Sequence, residues 1–248
     1  MLKEMLENVR LKSPLVHNIT NYVTVNDCAN ILLACGASPI MADDLDEVEE
    51  ITSICSGLNI NIGTLNKRTI PSMIAAGKKA NELNHPIVLD PVGAGASGLR
   101  TETAKTLLEK VKFSAVRGNL SEIKCLAVGI GNTRGVDSVD FINEKNIDTV
   151  VEFAKDFALK NSCVTVITSA IDIVTDGKIA YYVYNGDSIM SKITGSGCQL
   201  SAMMAAYISA NPNEILRAAL ACVCAMGLCG EMAKARMTEK DGNSSYRN

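Results

Sequence analysis

The sequence lacks the features with which proteins usually bind nucleic acids. It contains no tryptophan, aromatic residues make up only 4%, and 24 Lys and Arg residues are outnumbered by 27 Asp and Glu residues. Nucleic-acid binding depends on clustered positive charge and on aromatic rings that stack against bases. Because the net charge is −3 and there is no basic stripe, we expect no nucleic acid among the partners.

Signals for disulfides, structural metals and membranes are also scarce. The chain has two histidines and nine cysteines, an odd number with no Cys-x-x-Cys pair, so we expect free thiols in a reducing compartment. Charges interrupt every apolar stretch of the first 15 residues, which therefore do not resemble a signal peptide. The longest nearly uncharged run, 218–230, is too short to span a bilayer. We expect a cytoplasmic protein without a membrane partner.

Short strand-like segments alternate with longer helix-like ones. The strand-like segments are 15–19, 38–41, 58–62, 86–92, 114–117 and 163–168; the helix-like segments are 25–35, 45–55, 71–83, 101–111 and 147–160. This alternation predicts an α/β fold with a mostly parallel sheet and helices on both faces. Residues 171–183 predict an antiparallel edge hairpin with an Asp-Gly turn, and two long helices follow at 197–209 and 213–237. We expect one domain over residues 1–248.

The first glycine cluster, DPVGAGASG at 90–98, contains the pattern G-x-G-x-x-G. That pattern binds dinucleotides when it follows the first strand of a βαβ unit, but here it follows the fourth strand-like segment. A nicotinamide site is therefore a minor alternative to a flexible turn that brings backbone close to a ligand. The P-loop pattern G-x-x-x-x-G-K-[ST] is absent, which argues against a P-loop enzyme.

The second glycine cluster, ITGSGCQLSAMM at 193–204, places a cysteine at the start of a predicted helix. Glycines at 195 and 197 allow successive backbone N–H groups to point the same way, and the helix adds its positive end. The sequence therefore predicts an anion-binding nest at this turn.

Polar side chains follow several predicted strands. Asp90, Arg117 and Thr168 stand at strand ends, and Asn119 and Glu122 lie three residues apart at a predicted helix start. Carboxylates can hold Mg²⁺ through water, and Arg suits phosphate. With the anion nest, these side chains suit phosphoryl transfer. Individually, Asn119 could be a helix cap, Glu122 a helix-dipole partner and Asp90 a turn residue.

Five segments together resemble one family. They are VHNITNYVTVNDCANILLACGASPIMA (16–42), NINIGTL (59–65), VLDPVGAGAS (88–97), VRGNLSEI (116–123) and ITGSGCQLSA (193–202). Nearly the whole chain is similar to the hydroxyethylthiazole kinases of the ribokinase-like superfamily. The resemblance implies a ribokinase-like fold and ATP- and Mg²⁺-dependent phosphorylation of the primary alcohol of 4-methyl-5-(2-hydroxyethyl)thiazole, in thiamine biosynthesis and salvage.

The resemblance also implies roles for particular positions. The substrate would contact Met41, Asn21 and Gly195; ATP would contact Arg117 and Thr168; and an anion hole would comprise Gly195, Ser196 and Gly197. The metal region would hold Asp90 and Glu122. Cys198 stands where most ribokinase-like enzymes have a catalytic Asp. The family implies a homotrimer with active sites at the subunit junctions.

Two features depart from the family pattern. Ser196 replaces the more usual Thr of TGTGC, which is a mild change for a nest built from backbone. The sequence ends with SSYRN at 244–248, where the family normally continues into a terminal helix, so the resemblance implies that this C-terminal helix is missing.

The position of Cys198 suggests a base. A helix N-terminus favours the thiolate, so we expect its pKa to be lowered and the thiolate to accept the alcohol's proton late in the reaction. The alternative is a small buried residue selected for its fit.

Three other functions stay open at this point. A cysteine-nucleophile hydrolase or transferase would need a histidine, for which His17 is the better candidate because His85, next to Pro86, resembles a turn residue. A nucleotide or thiazole binder would not consume ATP. A related kinase would phosphorylate a hydroxymethylpyrimidine.

Overall fold

The central sheet contains eight strands. The computed structural model describes residues 2–127 and 142–247. The strands are β1 Leu15–Ile19, β2 Ser38–Met41, β3 Gly57–Asn61, β4 Ile87–Asp90, β5 Ala115–Asn119, β6 Val164–Thr168, β7 Asp172–Thr175 and β8 Ala180–Val183. Their order across the sheet is β2-β1-β3-β4-β5-β6-β7-β8. The first six strands along the chain are parallel, whereas β7 and β8 pair antiparallel at one edge. The predicted α/β fold, with its mostly parallel sheet and edge hairpin, is confirmed.

Helices cover both faces of the sheet. In the described ranges they are α1 Leu2–Lys12, α2 Val25–Cys35, α3 Val48–Ile54, α4 Thr69–Glu82, α5 Gly98–Lys110, α6 Leu120–Ala127, α7 Ile147–Asn161, a 3₁₀ turn Ser188–Lys192, α8 Ser196–Ala210, α9 Ile215–Arg236 and α10 Asn243–Arg247. One apolar core packs α3 to α7 against the sheet, and a second packs α1, α2, α8 and α9 against its other face. The sequence-predicted helices are all present, with ends that differ by up to three residues.

The edge hairpin turns where the sequence predicted. Gly177 has a positive φ of 90°, which glycine adopts without steric cost. The Oδ1 atom of Asp176 accepts the backbone N–H groups of Lys178 and Ile179 at 2.9 and 2.8 Å. The Asp-Gly pair therefore supplies both the backbone conformation and the hydrogen bonds of this turn.

The strand order changes direction between β1 and β3. From β1 the chain moves outward to β2, then returns to form β3 on the opposite side of β1. The loops that leave β1 and β3 therefore diverge and open a crevice at the carboxyl ends of the strands. In open α/β sheets this is where ligands bind.

The face of the sheet under α8 carries buried polar side chains near that crevice. Asn18 and Asn59 are register partners on β1 and β3, and Asn61 and Asp90 are register partners on β3 and β4. All four side chains are buried. Side chains two residues apart on a strand point to the same face, so Asn59 and Asn61 extend one polar row toward the crevice.

Helix α8 approaches this row closely because β3 begins with glycine. A Cβ atom at Gly57 would fall on the Oγ atom of Ser209, near the end of α8. The absence of a side chain at Gly57 thus sets the distance at which α8 crosses the sheet. The start of α8 is held over the carboxyl ends of β3 and β4 as a result.

Helix α9 is longer than the uncharged run within it suggested. It has 22 residues and is long and apolar enough to cross a membrane by length and composition. The expectation that no segment reaches that length is therefore wrong. Its buried residues, including Ala218, Cys222 and Val223, belong to the same apolar core as α8, so α9 is a core helix here.

Candidate active site

The Gly-Ser-Gly turn forms the open N-terminus of α8. Gly195 is the N-cap residue with φ 90°, and no side chain caps the helix. The first regular backbone hydrogen bond runs from Gln199 N–H to the Gly195 carbonyl at 2.9 Å. The N–H groups of Ser196, Gly197 and Cys198 precede that ladder and point out of the helix end. A Cβ atom on Gly195 would lie 2.6 Å from Thr24 Cγ2, so this turn needs glycine for space as well as for φ.

The sulfur of Cys198 faces an amide donor. Asn21, in the loop after β1, donates from Nδ2 to Cys198 Sγ at 3.2 Å. The Oδ1 atom of Asn21 accepts both the backbone N–H and the hydroxyl of Thr24, each at 3.1 Å. Two predicted site residues, Asn21 and Cys198, are thus brought into direct contact.

The expected lowering of the Cys198 pKa is wrong. Burial raises the pKa of this thiol, and the negative charge of Asp90 raises it further. Hydrogen bonds from Asn61, Thr24 and Asn21 act in the opposite direction but do not outweigh burial. The sulfur, with its residue only 8% exposed, has lost more hydration than the sequence pattern could reveal.

Asp90 and Arg117 form a buried ion pair. Asp90 is fully buried, and its Oδ2 atom lies 3.4 Å from Arg117 Nη1. Arg117 Nη2 donates to the Thr168 hydroxyl at 2.7 Å. Burial raises the Asp90 pKa, Arg117 lowers it and the nearby Glu122 raises it. The structure therefore joins three predicted residues from three neighbouring strands.

Arg117 also lies against the anion nest. A Cβ atom on Gly197 would stand 2.5 Å from both Nη1 and Nη2 of Arg117. The guanidinium therefore sits beside the N–H groups at the start of α8. Positive charge and helix N-terminus converge on one place, which suits a phosphate group.

Glu122 ties two loops together. Its Oε2 atom accepts the Asn119 N–H and the Asn119 side chain accepts the Glu122 N–H, both at 2.8 Å. This is a capping box at the start of α6. The Oε1 atom accepts the Gly93 N–H at 2.8 Å, which anchors the loop after Asp90. The capping function suggested for Asn119 is thus present.

The loop that carries G-x-G-x-x-G is not a free cradle. The N–H groups of Gly93 and Gly95 are donated to Glu122 and to the Thr101 hydroxyl. Arg100 further fixes the loop through the carbonyls of Val92 and Gly63, at 3.1 and 2.6 Å. Because these amides already have protein partners, the geometry does not support the dinucleotide alternative.

The acids fit a hydrated cation rather than a protein cage. Within residues 2–127 and 142–247, no three His, Cys, Asp or Glu side chains form a metal-binding group. Asp90 Oδ1 is buried without a hydrogen-bond partner among those residues. The Glu122 oxygens each accept one N–H and retain lone pairs. Mg²⁺ typically retains waters and takes one or two carboxylates plus phosphate oxygens.

Neither histidine can assist Cys198. His17 is fully buried, its Nδ1 lies 3.0 Å from Thr52 Oγ1 and its Nε2 lies 2.9 Å from the Ala42 carbonyl. Burial lowers its pKa. His85 lies between α4 and β4, at the amino ends of the strands, whereas the nest lies at their carboxyl ends. The structure therefore gives no support to a Cys-His hydrolase.

Sequence reasoning missed the residues that connect the two halves of the site. Asn61 Nδ2 donates to Asp90 Oδ2 at 2.9 Å, and the Ser201 hydroxyl donates to the same atom at 2.8 Å. The alternating asparagines of NINIG were the available signal, since a buried strand rarely carries two amides. Met41, predicted to touch the substrate, is the last residue of β2 and pairs with Asn18 of β1, so it also lies at the carboxyl ends of the strands.

Comparisons with known proteins identify the family of this chain. The model of the hydroxyethylthiazole kinase family matches residues 6–247. The chain belongs to the hydroxyethylthiazole kinase family. A hydroxyethylthiazole kinase from Clostridium acetobutylicum is 66% identical over 100% of this chain and 92% of its own length.

Solved structures extend the same relationship. The hydroxyethylthiazole kinase structure from Pyrococcus horikoshii matches with a TM-score of 0.88 at 35% identity, covering 99% of this chain and 89% of that one. A ribokinase-like superfamily protein from Enterococcus faecalis matches with a TM-score of 0.64 at 11% identity, covering 98% and 85%. The second likeness concerns the fold alone, and it agrees with the predicted ribokinase-like fold.

Replacing Gly197 tests the contact between Arg117 and the nest. Gly197→Ala places a methyl group against the guanidinium, so we expect Arg117 to move and the dissociation constant for ATP to rise about tenfold, as for loss of a charged hydrogen bond. Isothermal titration calorimetry measures this. Gly242→Ala is the control, because nothing lies within 4 Å of a Cβ there. Unchanged ATP binding by a folded Gly197→Ala protein would contradict the assignment.

Proposed function

We propose that this protein transfers the γ-phosphoryl group of ATP to the primary alcohol of 4-methyl-5-(2-hydroxyethyl)thiazole, in thiamine biosynthesis and salvage. Its family membership sets the reaction class. The observation that carries the proposal is the convergence of Cys198, Arg117 and the open start of α8 at the carboxyl ends of parallel strands. These groups provide a proton acceptor, a fixed positive charge and amide donors within one crevice.

Each group of site residues has its own proposed role in the reaction. The N–H groups of residues 195 to 198 and the Arg117 guanidinium bind the phosphoryl oxygens and stabilise their charge. Thr168 holds Arg117 from the neighbouring strand. Asn21 and Met41 contact the thiazole alcohol, and the thiolate form of Cys198 accepts the proton of its hydroxyl as the oxygen–phosphorus bond forms. A loose transition state requires little of that acceptor, because the alcohol loses its proton late.

Asp90 and Glu122 would hold Mg²⁺, largely through water. When bound, Mg²⁺ would neutralise part of the negative charge of the phosphates. The unpartnered Oδ1 of Asp90 and the lone pairs of Glu122 are the groups available to it. Asn61, Ser201 and Arg117 keep the other oxygen of Asp90 occupied, so only one side of this carboxylate is free.

The protein is proposed to act in the cytoplasm as a single kinase domain. All nine cysteines are free thiols, which suits a reducing compartment.

A homotrimer with sites at the subunit junctions is the proposed assembly. Tyr22 and Val23, directly after the site residue Asn21, are 79% and 58% exposed, and Leu33 on the following helix α2 is 59% exposed. Apolar side chains of this size beside a crevice favour coverage by a neighbouring subunit.

The reaction is tested by ATP consumption with two alcohols. We expect turnover with hydroxyethylthiazole, much less with hydroxymethylpyrimidine, and loss of turnover when Mg²⁺ is removed with a chelator. A coupled ADP assay measures each case. Turnover on the pyrimidine alone would overturn the substrate, and ATP binding without consumption would indicate a non-catalytic binder.

Substitutions at Cys198 test its role as proton acceptor. Cys198→Ser should lower kcat by about ten- to a hundredfold, because a serine hydroxyl ionises far less readily than a thiol and so supplies almost no anionic base at neutral pH. Cys198→Asp should keep activity, since a carboxylate can accept the proton. Steady-state kinetics with hydroxyethylthiazole decide between them. If Cys198→Ala retains the wild-type kcat, the residue is present only for its fit.

The assembly is tested with a charge at the exposed surface. Val23→Asp should convert the trimer to monomers and lower activity, because a carboxylate would be buried in the contact. Light scattering after size-exclusion chromatography measures the mass. Leu159→Asp, at a 53% exposed position on α7 on the other face of the sheet, is the control. A monomeric wild-type protein would refute the trimer.

A further inference from the structure

The amide of Asn61 lies at the centre of the polar network, between Cys198 and Asp90. It is the last residue of β3 and is 1% exposed. Its Oδ1 atom accepts Asn21 Nδ2 at 3.0 Å and the Gly63 N–H at 2.9 Å. Its Nδ2 group donates to Asp90 Oδ2 at 2.9 Å. Both ends of this amide are therefore occupied by groups of the opposite hydrogen-bonding type.

These contacts allow only one orientation of the Asn61 amide. Reversing it would direct the NH₂ group at two donors and the carbonyl oxygen at a carboxylate, leaving buried groups unpaired. The fixed Oδ1 of Asn61 then requires a donor from Asn21. The Oδ1 atom of Asn21 is likewise fixed, because it accepts two hydrogen bonds from Thr24.

The fixed orientation of the Asn21 amide determines which of its groups faces the sulfur of Cys198. With its amide held in this orientation, Asn21 presents Nδ2 to Sγ at 3.2 Å rather than an acceptor. A donor stabilises negative charge on sulfur, whereas an acceptor would oppose it. Asn61 also lowers the pKa of the Cys198 thiol directly, against the effects of burial and of Asp90.

We infer that Asn61 is a positioning residue that orients the Asn21 amide toward the sulfur of Cys198. The same Asn61 side chain holds one oxygen of Asp90, so a single amide positions groups at both the thiol and the carboxylate of the site. Its catalytic consequence rests on the proposed function. The orientation of the Asn21 amide does not depend on the proposed function, because it is a property of the protein without substrates.

Other groups that face Cys198 contribute charge or titrate. Among the described residues these are Asp90 on β4, whose charge raises the pKa of the thiol, and Cys28 on α2, whose Sγ lies 3.6 Å from the Cys198 carbonyl. Arg117 on β5 lies against Gly197, and Asp27 on α2 lies beside Gly195. Of these groups only Asp90 contacts Asn61, so a change in thiol reactivity reports on the amide together with its hydrogen bond to Asp90.

The test is the pH profile of Cys198 alkylation by iodoacetamide, followed on the Cys198 peptide by mass spectrometry in the absence of substrates. In Asn61→Ser the hydroxyl cannot span both neighbours. We expect half-maximal alkylation at higher pH and a roughly tenfold lower rate below that point. Asn61→Asp, which keeps the size but sets a second carboxylate against Asp90, should move the profile further. A merely looser site would change the plateau rate and not the midpoint.

Asn59→Ser is the matched control. Asn59 is a fully buried amide on the same strand and face, but its Nδ2 donates to Asn18 and not to the site. We expect its profile to match the wild type. If Asn61→Ser does not fold, as judged by circular dichroism, Asn61→Ala, which removes both hydrogen-bonding groups without adding a charge, takes its place. A folded Asn61 variant with the wild-type midpoint, or the same displacement in Asn59→Ser, would overturn the inference.

Kinetics separate this inference from the proposed function. In Asn61→Ser we expect a lower kcat with hydroxyethylthiazole and a nearly unchanged KM for ATP. If the wild-type protein consumes no ATP with this alcohol, the function is wrong, and the alkylation profiles still decide whether Asn61 orients the thiol.

Discussion

The buried carboxylate of Asp90 is the constraint on which the rest of the site depends. An ionised carboxylate loses several kcal/mol of hydration on full burial unless charged and polar partners replace the water. Here Arg117, Asn61 and Ser201 provide those partners from β5, β3 and α8. Two strands and the helix that carries the anion nest are thereby drawn to one atom. The fold places the nest over the sheet, and this carboxylate fixes its position.

The fold was largely predictable because its signals are local. Alternating strand and helix patterns gave the parallel sheet, and Asp176-Gly177 gave the hairpin, since turn residues act over a few positions. The ends of β4 and α3 were less well predicted, because β4 stops before Pro91 and α3 begins without a side-chain cap. The extent of α9 was predicted to within two residues at either end, but its capacity to span a membrane was underestimated, because only the uncharged run 218–230 within it was counted.

The site was predictable in its members but not in their connections. Asp90, Arg117 and Thr168 stood at strand ends, and parallel strands bring such ends together. The contact of Asn61 with Asp90 depends on the register between β3 and β4, and the contact of Ser201 depends on how α8 packs on the sheet, so neither could be predicted from the sequence. The burial of the site residues was the second property that could not be predicted from the sequence. The helix start around Cys198 suggested an activated thiol, whereas packing under α2 and beside Asp90 raises its pKa.

A thiol beside Asp90 has an electrostatic consequence that a carboxylate would not share. Two ionised carboxylates in one buried network repel each other, and one pKa must rise. A neutral thiol leaves the charge of Asp90 paired with Arg117 in the resting protein. Because the pKa of the Cys198 thiol is raised, the thiolate, which is the only form able to accept the alcohol proton, is a minor fraction. Catalysis through Cys198 therefore draws on that fraction, and a loose transition state, in which the alcohol loses its proton late, requires little of it.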